Sequence, residues 1–478
     1  MADTIIENIS NSLSPEDLFN SIKNHPYTFF LDSAVRDKHL GRFSFLGCDP
    51  FLVFRSKKDA IALEWADGRS ELFKSDPFTA LKEIFKKYRI SCVNEELPFS
   101  SGGVGYFSYD LKDFIEDLPD RASSDLDMDD CVMGFYDVVI IHDNFNNNTY
   151  IASSGLPYSG KIRARRRSER LKEFKDKVQK NKPGLISTSD TVPASLKSNF
   201  SRSGYAEAIK KAKQYIKKGD IYQVNISQRF EADILEDPAQ LYMRLRSISP
   251  APFASYMNFA DTSILSTSPE RFLLKKGDYI ETRPIKGTRP RGTDETSDRS
   301  MEKELKNSAK DNAEHIMIVD LERNDLGKVC RYGTVRLTES SVIEKYSNVF
   351  HMVSTISGNL KKGTDPIDCL RAAFPGGSIT GAPKVRSMEI IEELEPVKRL
   401  VYTGAIGYIS FDGNMDTSIV IRTIIARKGK IYFSVGGGIV ADSDPEAEYQ
   451  ETIDKAKGLM DTLGAVNAES FCRDEAYA

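Results

Sequence analysis

A carboxylate on an apolar helical stripe is costly to bury, and the segment Asn312 to Gly327 (NAEHIMIVDLERNDLG) holds one. Glu314 recurs with Met317, Ile318 and Leu321 at i, i+3, i+4 and i+7, and the spacing predicts a helix that stops at Gly327. Such a group must be paired, protonated or bound to a cation. Spacing alone leaves open a boundary residue paired to a nearby Arg or Lys. A second set lies at Glu448, Glu451 and Lys455, on one face of a helix opened by an Asp444 cap and Pro445. By itself that is a salt-bridged solvent face. Just before it, a strand over Ile431 to Val435 runs into Gly436-Gly437-Gly438, a strand end where N–H groups could meet an anion. Carboxylates beside such a turn suit a magnesium ion shared with an anionic substrate. The third set is Glu281 to Gly292 (ETRPIKGTRPRG). Lys286 is held there between Pro284 and Gly287, and Ser268-Pro269-Glu270-Arg271 supplies a fixed carboxylate upstream. A lysine nucleophile with a carboxyl general acid can displace a hydroxyl. A surface loop rich in Arg283, Arg289 and Arg291 is the plainer alternative.

The elements that must carry these residues fall into two regions. From about 26 to 153 the chain reads as short strands: Tyr27 to Leu31, Phe51 to Arg55, Gly103 to Tyr109 and Val132 to His142. One helix interrupts them at Pro77 to Tyr88. Residues 155 to 202 form a polar connection, a cationic helix from Lys161 to Lys182 followed by Pro, Ser, Thr and Asn. Its Arg163, Arg165, Arg166 and Arg167 lack interleaved aromatics and read as a solvated face, not a nucleic-acid patch. Gly155 to Lys161 (GLPYSGK) comes close to a phosphate loop, but Ile162 stands where Ser or Thr would ligate magnesium. From Ser203 a helix with Tyr205, Ile209, Ala212, Tyr215 and Ile216 on one side ends at Gly219. The strand after it alternates, with Gln223, Asn225 and Ser227 making one wholly polar face that points to a polar cavity.

Composition narrows the function classes. The chain has 478 residues, 28% charged and 40% hydrophobic, with a net charge of −4, so nothing pulls it in bulk toward nucleic acid or acidic membranes. No apolar run is long enough for a membrane span, and the N-terminus lacks the pattern of a secretory signal. Six cysteines without a C-x-x-C pair fit reduced thiols in a cytoplasmic protein.

Six strings, in order, then carry a resemblance: YQVNISQ, SPERFL, PIKGTRPRG, AEHIMIVDLERNDLG, FPGGSITGAPK and GGGIVADSDPEAEYQET. They resemble the chorismate-utilising enzymes, the family of anthranilate synthase component I. The resemblance implies an α+β fold of two sheets forming a sandwich with helices outside. It divides the chain into an N-terminal region (1–154), a linker (155–202) and a chorismate-binding catalytic region (203–465). It implies Mg2+ held by Glu314 and Glu451, with Glu448 close by or acting through water. Glu270 matches the acid for the departing ring hydroxyl. Thr288, His351, Tyr402, Arg422, Gly436, Gly437 and Lys455 match positions around the ring and its carboxylates.

Two positions sort the members of that family. Water-adding members carry a lysine where this chain has Gln223, so ammonia addition is expected. Members resembling PIAGT make anthranilate, whereas PIKGT, with Lys286, accompanies formation of 4-amino-4-deoxychorismate through a lysine adduct. No G-x-C-x-G elbow is present, so a separate glutamine amidotransferase is the expected ammonia source. Asp32 and Ser33 fall where family members build an amino-acid pocket, or form an ordinary strand end. Anthranilate formation, or a silent amino-acid-sensing subunit, are the competing expectations.

Overall fold

Aspartate followed by proline sets two helix starts, of which the one at Asp444-Pro445 was expected. Asp76 caps Pro77–Lys87 by accepting from the Thr79 N–H at 3.0 Å, and Asp444 does the same for Pro445–Thr462. Ser201 caps Arg202–Lys218, and Gly219 closes that helix at φ +83°. The computed structural model describes residues 4–9, 13–35, 40–92, 94–180, 195–234, 236–346 and 349–464. The polar stretch after the cationic helix, 181–194, and Cys472 lie outside the described residues.

Two large antiparallel sheets stack face to face. Aromatic and aliphatic residues of both, including Phe29, Phe45, Tyr106, Val132, Met257, Ile264, Tyr408 and Ile425, fill the space between them. Helices cover the outer faces, so the mixed α+β sandwich is the observed architecture. Both sheets draw strands from the N-terminal and the catalytic regions. Phe29–Asp32 pairs with Phe253–Phe259 in one, and Gly102–Phe107 pairs with Ala405–Ser410 in the other.

Several expectations need correction. Val132 to His142 is two strands, Cys131–Tyr136 and Val138–Asp143, broken at Asp137. Tyr109 starts a 3-10 turn and is not the end of a strand. The cationic helix, Gly160–Lys180, is docked by buried Leu171, Phe174 and Val178, and its Arg170 is buried against Asp137 at 3.1 Å. The helix carrying Glu314 does not stop at Gly327 but runs Ala309–Val329, because Leu326 and Val329 still face the core. The triple glycine is not a strand-end turn. It lies inside the strand Lys430–Ile439, where Gly436, Gly437 and Gly438 pair with Ser227, Ile226 and Asn225.

Candidate active site

The glycine strand explains the geometry. A Cβ on Gly438 would lie 2.5 Å from Gln223 Nε2 and 3.6 Å from Lys286 Nζ. One on Gly437 would lie 3.1 Å from Glu448 Oε2, 3.8 Å from Glu451 Oε1 and 4.0 Å from Lys455 Nζ. The missing side chains of Gly437 and Gly438 therefore leave a floor strand approached by functional groups from three elements. The neighbouring strand Gln223–Asp233 supplies Gln223, whose amide donates to Glu314 Oε2 at 3.0 Å. Its polar face is indeed turned inward, with Gln223 and Ser227 buried and Asn225 Oδ1 buried without a partner.

Lys286 is set by backbone irregularity. The strand Ile285–Pro290 pairs with Val349–Asn359, and its register shifts between Ile285 and Thr288. Lys286 and Gly287 occupy that bulge, a device that re-aims a side chain. Gly287 takes φ +80°, and a Cβ there would come 2.8 Å from Leu305. Burial pushes the Lys286 amine below its ordinary pKa, and Lys455 pushes the same way, while Glu314, Glu270 and Glu451 pull it back up.

Glu270 is buried just before the strand Arg271–Lys276. It accepts from the Ser378 hydroxyl at 2.5 Å and more weakly from the Ile285 N–H at 3.5 Å. Burial pushes its carboxyl up to about 7, against the Ser378 hydrogen bond and the Lys286 charge. Burial thus moves an acid and an amine toward one another on the pH scale, the arrangement expected of a proton donor beside a nucleophile.

The carboxylates are unevenly satisfied. Glu448 takes a hydrogen bond from Ser443 at 2.6 Å on one oxygen, and its other oxygen is buried without a partner. Burial raises Glu448 and Glu314 above the usual carboxylate range. Burial acts the same way on Glu451, but Lys455, 2.7 Å away, together with Lys310 and Lys286, outweighs it and holds that group low. Lys455 also donates to the Gly436 carbonyl at 3.0 Å. Oxygen donors of this kind suit a hard divalent cation, and the orphaned Glu448 oxygen fits one. The oxygens of Glu314, Glu448 and Glu451 are not all within 4.8 Å of one another.

Thr288 stands opposite His351 in the sheet, and its hydroxyl shares a 2.9 Å hydrogen bond with Nδ1. His351 Nε2 is buried without a partner, and burial, aided by Arg422, keeps the ring neutral. Arg422 adopts φ +52°, a left-handed conformation that costs a residue with a side chain roughly 1–2 kcal/mol. Its guanidinium makes no ion pair among the described residues, so an anionic group can be received there. Tyr402 is set by another neighbour, its ring 6.0 Å from the Arg399 guanidinium.

At the position where the sequence resemblance implies an amino-acid pocket, Asp32 is buried and bound by the Arg246 guanidinium and by the Tyr242 hydroxyl at 3.1 Å. Ser33 donates to the Phe43 carbonyl at 2.8 Å. The GLPYSGK loop lines a cavity of about 360 Å3 with Tyr27, Phe51 and Trp65, which shares no residue with the lysine cluster.

Sequence reasoning passed over three groups. Ser378 lay inside the quoted FPGGSITGAPK string but was not singled out. His315, hydrogen-bonded to Ser354 at 2.5 Å and pushed down to about 4 by burial, lies next to Glu314. Glu322, two turns farther along the same helix, is buried. Its place four residues after Ile318 was the one available signal.

The chorismate binding enzyme family model matches residues 19–461. The chain belongs to that family. It is 40% identical over 446 residues to aminodeoxychorismate synthase component 1 of Escherichia coli strain K12, covering 93% of this chain and 95% of that protein. It is 39% identical over 458 residues to anthranilate synthase component 1 of Aquifex aeolicus strain VF5, covering 94% and 92%. The crystal structure of anthranilate synthase component I from Streptococcus pneumoniae TIGR4 superposes with a TM-score of 0.78 at 28% identity, covering 95% and 99%. This member of the chorismate-binding family therefore stands about equally near relatives with two different products. No helix among its described residues is long and apolar enough to cross a membrane.

Proposed function

We propose that the chain converts chorismate and ammonia to 4-amino-4-deoxychorismate through a covalent adduct on Lys286. One observation carries this reading: the Lys286 amine is aimed by a bulge at the glycine floor, with its pKa depressed, while Glu270 is held near neutrality as a proton donor. Lys286 Nζ attacks C2 of the ring. The ring double bonds shift, the C4–O bond breaks, and Glu270 gives its proton so that the hydroxyl leaves as water. Ammonia then forms a bond to C4, the double bonds shift back, the C2–N bond breaks to release the lysine as its free amine, and the new C4 ammonium returns a proton to Glu270. The sum is chorismate plus ammonia giving aminated product plus water.

Both groups must be neutral to react, Glu270 protonated and Lys286 not. Each unit by which their pKa values converge enlarges that doubly neutral population about tenfold. Arg422 suits a ring or side-chain carboxylate as a bidentate partner, and His351 Nε2 is free to meet a ligand oxygen. Glu314 and Glu451, with Glu448, would hold Mg2+, which when bound supplies charge to anchor a substrate carboxylate. A glutamine amidotransferase is the partner this reading requires as the ammonia source.

Anthranilate formation is the second reading, and the 39% identity to an anthranilate synthase favours it. Incubation with chorismate, magnesium and ammonium separates the two. The expected product becomes para-aminobenzoate only after a lyase is added. Fluorescent anthranilate without that lyase would overturn the proposal. Lys286→Ala is expected to lower aminodeoxychorismate formation by at least about 100-fold, and full retention would remove the covalent step.

A further inference from the structure

The general acid does not stand alone. Glu270 takes its shortest hydrogen bond from Ser378, which lies in the 3-10 turn Gly377–Ile379. That turn is tied to the Ala309–Val329 helix, because the Gly377 N–H donates to Glu322 Oε1 at 2.8 Å. The approach is close: a Cβ on Gly377 would lie 2.7 Å from Leu321 and 3.0 Å from Glu322 Oε1. Glu322 is 2% exposed, and its second oxygen is buried without a partner.

We propose that Glu322 is a positioning residue for the general acid, holding the Gly377–Ile379 turn so that Ser378 orients Glu270. The charges around this chain of contacts come from three directions. Lys286 faces Glu270 from the bulged strand. Asp325 adjoins Glu322 on its own helix, and Lys384 pairs with Asp325 from the helix Lys384–Leu394 while donating to the Ala373 and Pro375 carbonyls at 2.9 and 2.8 Å. Lys328 also pairs with Asp325. Burial and Asp325 both favour the neutral form of Glu322, so the carboxyl serves by its oxygen geometry. An amide oxygen at the same place can therefore stand in for it.

The inference rests on Glu270 acting as the acid, and the experiment separates the two claims. Ammonia-dependent turnover of chorismate is followed across the pH range for wild type, Glu270→Gln, Ser378→Ala, Glu322→Ala and Glu322→Gln, with thermal melting of each. Glu270→Gln is expected to remove one break from the kcat/KM profile. The Ser378 hydrogen bond favours the ionised carboxylate, so Ser378→Ala is expected to move that same break to higher pH. Glu322→Ala is expected to lower kcat about 100-fold, the order of loss from ångström-scale misplacement, with KM little changed. Glu322→Gln, which still accepts from Gly377, is expected to recover most of that loss. A break present in wild type but unmoved in Ser378→Ala overturns the positioning chain alone. Equal losses in Glu322→Ala and Glu322→Gln overturn it too. If Glu322→Ala does not fold, the Ser378→Ala break and the Glu322→Gln rate decide. A wild-type profile with no break that Glu270→Gln removes overturns the acid assignment, and the inference with it.

Discussion

Arg422 shows how a single residue can be costly to its own fold and useful to a ligand. It combines a left-handed backbone with a guanidinium that has no carboxylate partner among the described residues. Strain and an unpaired charge kept together mark a place prepared for something else. Arg422→Lys keeps the charge but loses the planar fork, so KM for chorismate is expected to rise about 10- to 100-fold, matching the ~1.5–3 kcal/mol of a charged hydrogen bond. Steady-state kinetics check this, and an unchanged KM would place the substrate carboxylate elsewhere. Residue types such as Arg422, Lys286 and Glu270 were legible in the sequence through their resemblance to a family. Glu322 and His315 were not, because a polar side chain on a helix reads as surface until the strand or turn facing it is known. Ser378 faces Glu270 across more than a hundred positions, a proximity that periodicity cannot contain.

At the scale of elements, the floor strand Lys430–Ile439 is the most informative. In the sequence, three glycines in a row suggested a turn. In the fold they are a paired strand stripped of side chains so that Gln223, Lys286, Glu448 and Glu451 can approach its backbone. None of the three has a positive φ, so space and not backbone freedom is what they provide. Gly438→Ala is expected to displace Gln223 and to cost about 1–3 kcal/mol of stability from overpacking. Activity is expected to fall further than stability, since the same methyl group comes within 3.6 Å of the lysine amine. Thermal melting and kcat/KM measured together check this; a loss confined to stability would mean the floor is only structural. The helix starts at Pro77 and Pro445 and the stop at Gly219 were readable because capping is local. The end of the Glu314 helix was misread because core contact at Leu326 and Val329 overrides a lone glycine.

The whole molecule is built across its apparent boundary. A boundary near residue 203 looks natural along the chain, yet each sheet joins a block of strands from one side of it to a block from the other. A fragment starting at Ser203 would leave Phe253–Phe259 and Ala405–Ser410 with bare edges and half of the inter-sheet core exposed. Such a fragment is expected not to fold alone, as judged by circular dichroism and a cooperative melt, and a cooperative transition in it would refute the shared sheets and core as the source of stability. The fold class was legible from strands with few helices among them. The pairing order was not, since it depends on contacts between distant segments.

Pairing between strands far apart in the chain has a bearing on how the protein is made. The strand Gln223–Asp233 finds its longest partner only when Lys430–Ile439 arrives, and Glu448 and Glu451 follow that partner. On a ribosome moving at roughly 5–20 residues per second, the waiting time is on the order of 10–40 s. Throughout it, an eleven-residue strand presents an unpaired edge, the kind of surface that nascent chains shield or lose to aggregation. The glycines that make room for Gln223 and Lys286 are thus also among the last parts of the sheet to be laid down.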